Sequence, residues 1–194
     1  MADAVPATAI EKWQAELKHE KDEYRKAEVA RRIEAFSDQG YGCAVFRNPL
    51  VADRVQDVLF SNHGGCCRLG AWVVMPNHVH VIVTPIGHSI GEVVRRLKGA
   101  TSVEVNRLLE RKGRLWQPGF FDRVIRSGEH FDRTQSYIEW NPVKAQLCAD
   151  PALWRTSSRN PEARHKLELA VQARLKATEN SLQLSPDAID DASK

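Results

Sequence analysis

The chain has 194 residues, 42% of them hydrophobic, which is enough for one ordinary core with some peripheral sequence. Its formal net charge of +3 is too small to name a partner, and no apolar run approaches the roughly 18 residues that span a bilayer. The start, MADAVPATAIEKWQAE, is charged within its first dozen residues and lacks a signal-peptide apolar stretch, so the expected compartment is the cytoplasm.

Residues 8–36 read as a charged helix, with Ile10, Trp13, Leu17, Tyr24, Ala27, Ile33 and Phe36 roughly three or four apart. Ser37, Asp38 and Gly40 stop it. CAVF (43–46) is a short strand candidate, broken by Asn48-Pro49. A helix over 50–62 has Val51, Val55, Val58 and Leu59 on one face, and His63, Gly64 and Gly65 then turn the chain. CCRLGAWVVM (66–75) and HVHVIVTP (78–85) read as two strands, expected to be antiparallel across Pro76-Asn77. In the second, Val79, Val81 and Val83 point one way and His78, His80 and Ile82 the other.

Ser89 is an N-cap for a long amphipathic helix that reaches about Arg111, and Lys112-Gly113 ends it. FFDRVIR (120–126) alternates as a strand does. A further helix runs from Glu129 to about Leu147, broken or bent at Asn141-Pro142. Beyond Arg155 the composition turns polar, with one helix at 161–178 and a tail, NSLQLSPDAIDDASK, of disordered character. The expected fold is α+β: an antiparallel sheet of about four strands with helices packed on one face. It divides into an N-terminal charged helix (1–40), a central domain (41–150) and a C-terminal extension (151–194). Cys43, Cys66, Cys67 and Cys148 lack the C-x2-4-C spacing of a zinc site and read as reduced, mostly buried thiols.

His78-Val79-His80 is the first feature with chemical content. Residues two apart on a strand share a face, so both imidazoles can reach one divalent cation. H-x-H alone is equally a pair of surface or core histidines. Tyr137 and Asn141, four apart on one helix, share a face in the same way. A tyrosine serves as nucleophile where a strand break must conserve phosphoester energy in a protein–DNA linkage, and Asn141 could give the cation an oxygen ligand. Their plain reading is a half-buried aromatic and a helix-ending residue before Pro142.

Residues 89–126 carry nine Lys and Arg against four Asp and Glu, which points towards a polyanion or else a solvated helix face. Arg95, Arg96, Lys98, Arg123, Arg126 and Lys144 are the candidate phosphate contacts. Trp116, Phe120 and Phe121 either stack on unpaired bases or close the core.

Three blocks then occur in order: AWVVMPNHVHVIVTP (71–85), LWQPGFFDRVIRSGEHF (115–131) and YIEWNPVKA (137–145). With them the chain resembles the single-tyrosine HUH transposases, most of all the REP-associated tyrosine transposases with their IS200-like domain. The resemblance covers about residues 42–150. It implies a ferredoxin-like sheet, a magnesium or manganese ion held by His78, His80 and Asn141, and Tyr137 as nucleophile. The implied reaction is metal-dependent cleavage and joining of single-stranded or hairpin DNA through a 5′-phosphotyrosine, without ATP, by a monomer or a homodimer. The alternative is a domesticated, non-catalytic nucleic-acid-binding protein that keeps the scaffold. The brief CAVF stands where the family usually has a longer, aromatic-rich first strand.

Overall fold

The computed structural model describes residues 44–183 continuously, preceded by Lys12, Trp13, Glu16, Asp22, Arg25, Glu28, Val29 and Arg32. Those eight positions are helical except Asp22, whose carboxylate accepts from the Arg25 amide at 3.3 Å as an N-cap does. The single helix expected over 8–36 is therefore interrupted there. The stop at 37–40, Cys43 and the tail beyond Gln183 lie outside the described residues.

Helix α1, Pro49–Asn62, begins where Asn48 takes the Leu50 amide on its side chain at 3.0 Å. Pro49 follows in the first turn, where a missing N–H costs nothing. To present Asn48 as a cap, Val45–Arg47 tighten into a 3-10 turn, so the CAVF strand does not form at these residues. Phe46 keeps one bond towards the sheet, its N–H donating to the Pro76 carbonyl at 3.0 Å. Its ring enters a buried cluster with Val51, Val55, Val74, Val105 and Leu115.

Strands β1 (Cys67–Val74) and β2 (Val79–Pro85) form an antiparallel hairpin, with Val74 opposite Val79 and Val73 opposite His80. The register shifts between Leu69 and Trp72, and Gly70 sits in that irregularity. A Cβ on Gly70 would lie 3.1 Å from the Ile82 side chain, so a larger residue here would make Ile82 give way by a few tenths of an ångström.

Alternation along β2 gives each face its own layer. Val79, Val81 and Val83 pack with Leu59 and Phe60 of α1 and with Val93 and Leu97 of helix α2, Ile90–Leu108. Ser89 caps α2 through a complete capping box with Glu92. On the opposite face Ala71, Val73 and Ile82 pack against Ile138 and Phe131 of helix α3, Gly128–Lys144. Helices thus cover both faces of the hairpin, where packing on one face was expected.

The expected four-stranded ferredoxin-like sheet is not what forms: the sheet among the described residues has two strands. FFDRVIR is irregular, with Phe120, Phe121 and Val124 exposed, because alternation makes a strand only where a ladder partner and a buried face are at hand. The outer edge of β1 is taken instead by the C-terminal segment. Val74 N–H donates to Thr156 O at 3.0 Å, Ser158 N–H to Trp72 O at 2.9 Å, and Val73 bridges Ser157. Helix α4, Pro161–Gln183, follows and sets Ala163 against the α1/α2 side of the core.

Candidate active site

The short MPNH connection (75–78) delivers His78 and His80 to the β2 end of the hairpin, on the α3 side. Asn77 is buried, and its Oδ1 lies 2.7 Å from His78 Nδ1. With that oxygen as acceptor, Nδ1 of His78 carries the proton and Nε2 presents a lone pair. Nε2 of His78 lies 3.0 Å from Nε2 of His80, with the two rings nearly perpendicular at 85°. Two nitrogen donors at that separation suit adjacent positions around one ion with bonds of about 2.1 Å.

Helix α3 brings the other half. Ser127 caps it, accepting from the His130 amide at 3.1 Å. The Tyr137 ring meets the His80 ring edge-on, with centroids 5.7 Å apart. One turn on, Asn141 is 1% exposed and donates through Nδ2 to the Tyr137 hydroxyl oxygen at 3.3 Å. Its Oδ1 is buried without a hydrogen-bond partner among the described residues. A buried carbonyl oxygen left unmatched is costly and is what a cation would satisfy. No three His, Cys, Asp or Glu side chains converge as a metal cluster among the described residues. The fit therefore rests on two imidazoles and an amide oxygen, the remaining positions falling to water, as hard cations accept.

Of the six cations expected to grip phosphate, Lys144 joins this site: its Nζ stands 4.4 Å from the centre of the Tyr137 ring. Arg95 and Arg96 lie on α2, in the layer across the hairpin, and line a 410 Å³ groove with Cys66, His88 and Glu92. Lys98 is a structural pin. Its Nζ donates to the carbonyls of Gln117 and Gly119, both at 2.6 Å. Burial, and then Arg114, hold its pKa below the usual lysine range. Arg123 and Arg126 are on the irregular segment, not on a strand. The Arg126 amide donates to His130 Nδ1 at 3.3 Å, which occupies that histidine with loop structure. Trp116 is half-buried, its indole donating to Thr101 Oγ1 at 2.8 Å, whereas Phe120 and Phe121 are exposed.

Sequence reasoning missed what holds the two halves together. Trp72 N–H donates to Ser158 Oγ at 3.2 Å, and Ser158 Oγ donates to Glu139 Oε1 at 3.0 Å. Arg164 and Gln135 also donate to that buried carboxylate, at 3.4 and 3.3 Å. A continuous set of hydrogen bonds thus runs from β1 through the C-terminal segment to α3, two residues from both Tyr137 and Asn141. No spacing rule links Glu139 to Ser158 and Arg164. The available signal was a carboxylate on the inward side of an amphipathic helix, which requires a partner. Sequence reasoning also passed over Trp140, 48% exposed on α3 beside Tyr137.

In comparison with known families, the family model described as Transposase IS200 like matches residues 41–141, just over half of the chain. Comparison with curated proteins gives no match, and comparison with solved structures gives none.

Proposed function

The chain belongs to the IS200-like transposase family, and on that premise we propose that it cleaves and rejoins single-stranded DNA through a transient ester on Tyr137. The observation that carries the reading is the convergence of His78, His80, Tyr137 and Asn141 from two separate elements. A magnesium or manganese ion would be held by His78, His80 and Asn141. When bound it supplies a positive charge that polarises the scissile phosphate and offsets charge on the leaving oxygen.

The chain's own residues account for the rest. Asn141 Nδ2 donates to the phenol oxygen and so fixes the direction of its remaining lone pair. Lys144, against the ring, attracts the phosphate anion to the hydroxyl. As the Tyr137 oxygen bonds to phosphorus its proton passes to solvent, and the bond from phosphorus to the 3′ oxygen breaks. That oxygen takes up a proton, leaving a free 3′ hydroxyl and a 5′-phosphotyrosine. Reversal by another 3′ hydroxyl rejoins the strand without an external energy source, because the ester conserves the bond energy.

Labelled single-stranded hairpin DNA incubated with the protein and magnesium or manganese is expected to give a covalent adduct that Tyr137→Phe abolishes. An adduct of undiminished yield in Tyr137→Phe overturns the nucleophile. Salt-dependent binding with no adduct under either cation favours a binding module that keeps the scaffold.

A further inference from the structure

Trp140 is a large apolar side chain with nearly half its surface in water, on a helix whose neighbours Ile138, Glu139, Asn141 and Pro142 are all buried. It has no part in the core clusters that hold α3 to the hairpin. It lies in a 460 Å³ groove lined by Asp132, Arg133, Ser136, Tyr137, Trp140 and Lys144. Arg133, Tyr137, Trp140 and Lys144 form one stripe of α3, spaced three or four apart, with Tyr137 one turn before Trp140 and Lys144 one turn after it. Three residues of helix rise place Trp140 about 4.5 Å along the axis from the tyrosine.

We infer that Trp140 is the stacking platform for the unpaired base that adjoins the phosphate presented to Tyr137. The inference rests on the proposed role of that tyrosine. An exposed indole face next to cations matches how proteins hold single-stranded nucleic acid: the ring takes the π-face of any base, and cations take the backbone. Lys144 lies against the ring of the nucleophile, while Arg133, one turn before Tyr137, is ion-paired with Glu129. Asp132 on the rim repels phosphate and leaves the Lys144 end as the favoured track for the backbone. A base in a duplex has both faces covered by its neighbours, so this seat selects unpaired DNA.

The test uses the full chain carrying Tyr137→Phe, without added cation, so that binding is read apart from cleavage. Anisotropy of fluorescein-labelled oligo-dT should show that Trp140→Ala raises Kd about tenfold and Trp140→Phe much less. Neither change should alter Kd for a duplex of the same length. A second measurement leaves Trp140 in place: irradiating the complex with a 5-bromodeoxyuridine oligonucleotide should give a crosslink that maps to Trp140 by mass spectrometry. The inference is overturned if Trp140→Ala leaves oligo-dT affinity within twofold, or weakens single strand and duplex alike. Crosslinks that all map elsewhere also overturn it. If these binding effects hold while no adduct forms in the cleavage assay, the role of Tyr137 falls and the base seat stands. An adduct with no Trp140 effect gives the converse.

Discussion

Asn141 has one side-chain atom matched, by the Tyr137 hydroxyl, and one buried and unmatched, its Oδ1. The imbalance makes a prediction at the scale of one atom. Asn141→Ala should lower affinity for manganese by about tenfold or more, read by electron paramagnetic resonance of the free ion. Unchanged affinity would remove Asn141 from the donor set. A second residue makes a pH prediction. His63 Nδ1 accepts from the Leu69 amide at 3.1 Å, which requires the neutral ring. Its pKa lies below the ordinary 6.5 because of burial first, then the positive charges of Arg174 and Arg68. The unfolded chain therefore takes up this proton before the folded one as pH falls. The stability contributed is complete above pH 6.5 and is lost as pH drops from there towards the folded-state value. His63→Asn can still accept the Leu69 amide without titrating, so its Tm should vary less than the parent's between neutral and mildly acid pH. Parallel Tm profiles for the two proteins would show that His63 contributes nothing to the acid limb.

At the scale of elements, α3 divides its work by face. Tyr137 meets His80, Asn141 meets the Tyr137 hydroxyl, Glu139 meets Ser158 and Arg164, and Trp140 meets water. The helix continues through Pro142 to Lys144, and Gln146, just past the Ala145 cap, has a left-handed φ of 57°. Leu147 N–H donates to Pro142 O and Gln146 N–H to Val143 O, both at 2.9 Å, which is a Schellman close. Glycine suits that position better than any residue with a Cβ. Gln146→Gly should stabilise the fold by about 1 kcal/mol and raise Tm by about 3 °C in a thermal melt. A lower Tm would mean that the Gln146 side chain makes a contact worth more than the strain. Most elements were legible at this scale: α1, β1, β2, α2 and α3 follow from apolar period, caps and turns. Two strands were misread for one reason. CAVF and FFDRVIR have strand-like residues, but a strand exists only as one side of a ladder, and local pattern carries no record of what stands opposite.

At the scale of the molecule, the C-terminal segment expected to be an extension beyond residue 150 is part of the architecture. Thr156–Ser158 cover the outer edge of β1, Trp154 donates to Val74 O at 3.0 Å, and Arg164 reaches Glu139. A chain ending at Asp150 would bare the Trp72 and Val74 backbone groups and leave the Glu139 carboxylate without Ser158 and Arg164. An unpaired edge and a buried charge stripped of its partners both destabilise. Residues 1–150 should therefore lose cooperative melting by circular dichroism and aggregate on size exclusion, where the full chain does neither. A stable, monomeric 1–150 protein would restore the shorter domain.

Order along the chain was enough to pair His80 on β2 with His78 just before that strand, and Tyr137 with Asn141 on one helix face, since periods of 2 and 3.6 are local properties of the backbone. Three ordered blocks were enough to indicate the family, which the match over residues 41–141 bears out. Tertiary structure alone decided that the two elements meet, with His80 against Tyr137, and that Lys98 is a pin while Lys144 stands over the Tyr137 ring. It also decided that the edge of the hairpin is closed from the C-terminal side. These are contacts between residues up to 86 positions apart. Which of many sequence-distant groups will meet is set by packing the whole core, not by any local period.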